Sequence, residues 1–206
     1  MVRPERPRPG PHPAPPAALA QRALPLRATT QAWFRIHHLA RDPLYFGRSG
    51  RNRFDAPAGE YGVLYAGDDA HCAFIETLGH ELDVRLLDAG DLRRRGLALL
   101  EPGRALRLVD LTGPGLARLG ADGRLATGDY AVAQRWALAL WRHPERPDGL
   151  LYRSRLDPSR YCAAIYDRAA DALTAVRLGS LTDRAHEQLL AVLLETYGFG
   201  LTGDAP

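Results

Sequence analysis

Five side chains stand out as able to do chemistry because each stands beside apolar residues that read as strand or helix. Arg35 lies in Trp33-Phe34-Arg35-Ile36, and Arg53 in Gly50-Arg51-Asn52-Arg53-Phe54. Tyr65 lies in Tyr61-Gly62-Val63-Leu64-Tyr65-Ala66, Glu76 in Phe74-Ile75-Glu76, and Ser154 follows Asp148-Gly149-Leu150-Leu151-Tyr152-Arg153. Arginines and glutamates are mostly solvated, so their placement among strand- and helix-forming residues is the signal. A set of Arg, Tyr, Glu and Ser suits a ligand with phosphates and ribose hydroxyls. A guanidinium grips phosphate oxygens in pairs, a tyrosine ring stacks or offers its polar tip, and a carboxylate stabilises developing positive charge.

Several other chemistries lack their residues. The chain holds no lysine, so all 27 cations are arginine and no phosphate-cradling Gly-x-x-x-x-Gly-Lys motif exists. His37, His38, His71, His80 and Cys72 do not have the paired spacing of zinc ligands, so no metal is expected. No Gly-x-Ser-x-Gly elbow surrounds Ser154, which argues against triad hydrolysis. The net charge of +3 is small, and the near absence of Asn (only Asn52) alongside excess Ala, Arg, Gly and Pro reads as genome composition. Direct nucleic-acid binding is therefore not expected. Cys72 and Cys162 read as free buried thiols. No apolar run reaches the roughly 20 residues of a membrane span, and the N-terminus has no signal-like apolar core. These features fit a cytoplasmic protein without membrane contact.

The elements that must position the five residues follow from pattern. Residues 1–28 are dense in Pro and Arg, which predicts a disordered, dispensable tail, with the folded domain over 29–206. Trp33–Ile36 and Gly62–Ala66 read as strands. Asp68 or Asp69 caps a helix over 70–78 that closes at Gly79. Residues 105–111 alternate as a strand, 130–141 repeat as a helix, and Gly113-Pro114-Gly115 reads as a loop. A Pro147-Asp148-Gly149 turn leads into the strand carrying Ser154, with a neighbour at 163–166 and a closing helix over 184–197. Strands broken by few helices, without βαβ alternation, predict an α+β fold.

In this order, the segments around Arg35, Arg53, Tyr65, Glu76 and Ser154 resemble the RES domain family, over roughly Trp33 to Arg168. The resemblance implies a compact domain like that of ADP-ribosyltransferase toxins, with a central, mostly antiparallel split sheet and flanking helices. It further implies the toxin of a bacterial type II toxin–antitoxin pair that consumes NAD at the nicotinamide–ribose bond. NAD would be substrate, with no further cofactor. The partner would be an antitoxin with an Xre-like helix-turn-helix, in a complex that could hold more than one toxin copy. Matched to the family, Glu76 and Arg35 are catalytic, and Arg53, Tyr65 and Ser154 bind the dinucleotide. Bond cleavage develops an oxocarbenium-like sugar, which Glu76 would face, while Ser154 would offer its hydroxyl to ribose or nicotinamide. The stretch 83–146 matches the family poorly and has room for insertions, for example at Leu92-Arg93-Arg94-Arg95-Gly96. Water, phosphate or a protein side chain could each accept the ADP-ribose. A catalytically silent, antitoxin-binding protein is the alternative of a different class.

Overall fold

The computed structural model describes residues 12–80 and 85–203. The chain first forms β1 (Leu26–Thr29), β2 (Trp33–His38), β3 (Val63–Gly67) and α1 (Ala70–Leu78). There follow β4 (Leu86–Asp88), α2 (Ala89–Arg93), β5 (Arg95–Pro102) and β6 (Leu106–Asp110). Next come α3 (Pro114–Leu119), α4 (Arg124–Thr127), α5 (Tyr130–Trp141), β7 (Gly149–Arg153) and β8 (Tyr161–Tyr166). The order ends with β9 (Leu173–Ser180), α6 (Glu187–Tyr197) and β10 (Gly200–Thr202). The fold is α+β, as expected.

Among the described residues, eight strands form one sheet in the order β1-β6-β7-β8-β3-β2-β5-β9, and β10 pairs with β4 apart from it. Within the large sheet only β6 and β7 run parallel. The sheet is split at its middle. β3 pairs along its length with β8, and β2 along its length with β5, yet β2 and β3 meet only at Phe34 opposite Gly67. Their divergence leaves a gap in the ladder.

Strand periodicity sorts side chains into cores on the two faces. Val63, Leu150, Tyr152, Cys162 and Tyr166 join Trp136 and Leu140 of α5. The alternate residues Leu64, Leu151, Ala163 and Ile165 join Trp33, Leu100 and Leu108. A third core packs Phe74 and Ile75 of α1 with Ile36, Leu97 and Leu193. Helix α1 thus sits beside the split, tied to both sides of it.

Two expectations need correction. Residues 1–11 of the expected tail lie outside the described residues, but 12–28 are packed against the domain. The Trp136 indole donates to the carbonyl of Pro13 at 2.9 Å, and His143 Nε2 lies 3.2 Å and 3.1 Å from the carbonyls of Leu19 and Arg22. The Leu24 N–H donates to Glu145 at 2.7 Å, Leu19 and Leu24 are buried, and β1 extends the sheet beside β6. Proline forbids a helix or an internal ladder, but side-chain donors from α5 and the loop after it satisfy carbonyls that no ladder could. Gly113-Pro114-Gly115 is also more than a loop. Pro114 opens α3, where its missing N–H costs nothing and its fixed φ suits the first turn. Within the stretch that matches the family poorly, β6 and α5 lie where the pattern placed a strand and a helix, and β5 joins them as part of the sheet.

Candidate active site

A cleft of about 240 Å³ opens at the split in the sheet. Arg35, Arg53, Tyr65 and Glu76 all line it, and Ser154 lies directly behind Glu76. The structure therefore gathers all five residues singled out in the sequence.

Glu76 owes its position to the start of α1. The Asp69 carboxylate accepts from the Cys72 N–H at 2.8 Å, capping the helix. Gly67, at the end of β3, lets that first turn approach: a Cβ there would lie 2.5 Å from Cys72 Cβ and 2.7 Å from the Ala73 nitrogen. The Glu76 carboxylate then meets the turn after β7. Its Oε1 accepts from the Ser154 hydroxyl at 2.5 Å and from the Arg155 N–H at 3.1 Å. Its Oε2 has no hydrogen-bond partner among the described residues and remains available to a ligand.

Ser154 differs in place and contacts from the sequence expectation. It stands one residue beyond β7, in a turn that its own oxygen holds by accepting from the N–H groups of Leu156 at 3.2 Å and Asp157 at 2.9 Å. With its proton directed to Glu76, it orients the carboxylate, and it is itself only 2% exposed.

The two arginines are held differently. Arg35 is partly buried on β2, and its Nη1 is sealed from solvent without any hydrogen-bond partner. Desolvation lowers its pKa to about 10, with the charge of Asp42 opposing that shift. A buried guanidinium nitrogen left unsatisfied is costly, and an anion in the cleft would relieve it. Arg53 is buried too. Its Nη1 donates to the Gly128 carbonyl at 2.7 Å, and its guanidinium lies 4.3 Å from the centre of the Tyr130 ring. Burial lowers its pKa as well.

Tyr65 presents its ring to the cleft, but its hydroxyl is committed elsewhere. It donates to Asp55 Oδ1 at 2.9 Å and accepts from the Phe54 N–H at 3.0 Å. Burial and the nearby Asp55 charge push its pKa well up. The ring face is what remains for a ligand.

Sequence reasoning missed Asn52, Tyr130, Tyr152 and Arg155, which also line the cleft. Tyr130 opens α5 directly after its cap, Asp129, whose carboxylate accepts from the Ala131 N–H at 2.7 Å. An exposed tyrosine at a helix start beside Gly128 was a usable signal. Tyr152, by contrast, alternates with Leu151 like any core strand residue, its ring edge-on to Phe54 at 4.8 Å. Arg35, Arg53 and Arg155 against the single Glu76 give the cleft an excess of positive charge, suited to an anionic ligand. Cys72 and Cys162 are free and buried with their sulfurs 3.4 Å apart, as expected of unpaired thiols.

Comparison with known proteins adds to this geometry. A family model described as the RES domain matches residues 32–188. A probable toxin, y4kH, of Sinorhizobium fredii (strain NBRC 101917 / NGR234) is 33% identical over 94 residues, spanning 45% of this chain and 73% of that protein. The crystal structure of the M. tuberculosis MbcT–MbcA toxin–antitoxin complex holds a chain with the same fold. It matches with a TM-score of 0.61 at 18% identity, over 90% of this chain and 100% of that one.

Proposed function

The chain belongs to the RES domain family, and from that premise we propose that it is the toxin of a bacterial toxin–antitoxin pair that depletes NAD by cleaving the nicotinamide–ribose bond. The observation that carries this reading is the pairing of two half-satisfied groups in one cleft. Arg35 Nη1 is buried without a partner, and Glu76 offers a free Oε2 while Ser154 and Arg155 fix its other oxygen. Arg35 and the remaining donors of Arg53 hold the pyrophosphate, since a planar fork matches its oxygens. Glu76 faces the ribose and stabilises the positive charge that develops as nicotinamide leaves. Tyr65 and Tyr130 supply aromatic faces for base or nicotinamide. A cleft of about 240 Å³ is smaller than the ~300–1,000 Å³ that engulfs a whole ligand. It therefore seats the nicotinamide end of NAD and leaves the adenosine half in the mouth.

The partner we propose is an antitoxin, supported by the toxin–antitoxin complex in which the similar fold occurs, and the resemblance to the RES family suggests that it carries an Xre-like helix-turn-helix. Water, phosphate and a protein side chain all attack the same activated carbon, and product analysis chooses among them. Purified protein incubated with NAD should release nicotinamide, together with ADP-ribose, its phosphorylated form or a modified protein. Glu76→Gln should lower the rate by about 10²-fold or more while the fold persists. Intact NAD after incubation with folded wild-type protein overturns the enzymatic reading and favours a silent antitoxin-binding role. Wild-type turnover in a folded Glu76→Gln variant removes Glu76 from the chemistry.

A further inference from the structure

Behind the cleft, on the loop that carries Arg53, lies a carboxylate with no salt-bridge partner among the described residues. Asp55 is 0% exposed, and every hydrogen bond it receives comes from a neutral donor. Ser49 Oγ donates to Oδ2 at 2.9 Å, and the Asn52 N–H at 3.2 Å. Asn52 Nδ2 reaches Oδ2 at 3.1 Å and Oδ1 at 3.4 Å, and the Tyr65 hydroxyl donates to Oδ1 at 2.9 Å. A buried charge of this kind survives only when its acceptor sites are satisfied. Three of these four contacts lie within its own loop; the fourth crosses to β3.

We infer that Asp55 is the positioning residue for Arg53, tying the loop that carries the guanidinium to the β3 strand through the Tyr65 hydroxyl. The connection is geometrically closed. Tyr65 Oη accepts from the Phe54 backbone N–H and donates to the Asp55 carboxylate, so one hydroxyl holds both the backbone and the side chain of consecutive loop residues. Arg53 is the next residue. From the opposite side, Gln134 Nε2 of α5 donates to the carbonyls of Gly50 at 2.8 Å and Asn52 at 3.0 Å. The loop has no strand or helix of its own between Gly50 and Asp55, so these side-chain bonds replace the ladder that would otherwise fix it. Tyr65 then acts on the site in two ways: its ring is a wall of the cleft, and its hydroxyl is a strut for Arg53.

The functional form of this proposal rests on the cleft being an NAD site, but its structural form does not, and one experiment reads both. Asp55→Asn is isosteric and replaces one of the two accepting oxygens by a donor, so the side chain cannot satisfy Ser49, Asn52 and Tyr65 together. Tyr65→Phe removes the hydroxyl and keeps the ring. In full-length protein, amide exchange over residues 49–55 should speed up about 10-fold or more in each variant, with exchange in α6 unchanged. NAD cleavage should show KM raised about 10-fold with kcat changed less than 2-fold, because Arg53 holds the phosphates in the ground state. The double variant should match the worse single one, since both cut the same tie.

A merely structural residue would lower the active fraction and hence kcat, leave KM alone and loosen α6 together with the loop. That pattern overturns the proposal, as does unchanged loop exchange in Asp55→Asn. If wild-type protein leaves NAD intact, the function reading fails, and loop exchange alone decides whether the strut exists. Should Tyr65→Phe not fold, Asp55→Asn together with Ser49→Ala gives the same test without touching β3.

Discussion

Arg35 is buried at a cost in desolvation where it stands. Its Nη1 is sealed and unpaired, and desolvation brings its pKa down to about 10. The folded pKa lies below the unfolded one, so above about pH 10 the unfolded chain holds the extra proton and stability rises with pH. Below pH 10 the charged form is present in both states, and burial costs free energy in full. Arg35→Met should therefore raise the stability of the ligand-free protein by about 1–3 kcal/mol, read by urea unfolding, while NAD turnover is lost. A variant no more stable than wild type would show that solvent or a neighbour already satisfies the group. The sequence flagged Arg35 by its apolar neighbours and could do no more, because alternation alone leaves open whether a strand side chain meets solvent or a cleft. Ser154 was found by its place after an apolar strand, but its role was not legible. The partner that takes its proton, Glu76, is 78 residues away.

At the scale of elements, legibility followed local signals. Helix α1 was readable from end to end because Asp69 caps it and Gly79 closes it, and α5 because its apolar residues repeat at helical spacing. Strand β5 was not. Its Leu97-Ala98-Leu99-Leu100 run is nearly continuous, since both faces are covered, and the Arg93-Arg94-Arg95 cluster that leads into its first residue looks like an inserted loop. Asp55 gave no sign at all, because an aspartate in a turn is ordinary and its key donor comes from β3. The closest approach in the site, α1 against β3 at Gly67, sets a prediction of its own. Gly67→Val should destabilise by about 1–3 kcal/mol or more by overpacking and displace Glu76, cutting turnover about 10²-fold. Gly47→Ala, where a Cβ would meet nothing nearer than 3.7 Å, is the control and should change neither. Equal losses in the two variants, measured by melting and by nicotinamide release, would refute the close-approach argument.

Across the whole molecule, residues 12–28 are part of the body. Deleting residues 2–25 removes Leu19 and Leu24 from the core and strips carbonyl partners from Trp136 and His143. Burial of two leucines contributes about 3–6 kcal/mol as an upper estimate, so the melting temperature should fall by about 10 °C. An unchanged melting curve would return the segment to the status of a tail. The composition of this segment pointed the other way because Pro density reports what the backbone cannot form, and says nothing of what can dock on it.

The order of the strands also sets a timetable for synthesis. Strand β8 is the one that joins β7, which leads to Ser154, to β3, which leads to α1 and Glu76. A growing chain that has completed α1 must still add residues up to Tyr166 before the two halves of the site can be zipped together. At the ~5–20 residues per second of translation, that interval lasts on the order of several seconds. During it Glu76 exists without its serine and the cleft without one wall. A nascent chain therefore lacks the assembled cleft until β8 has been made.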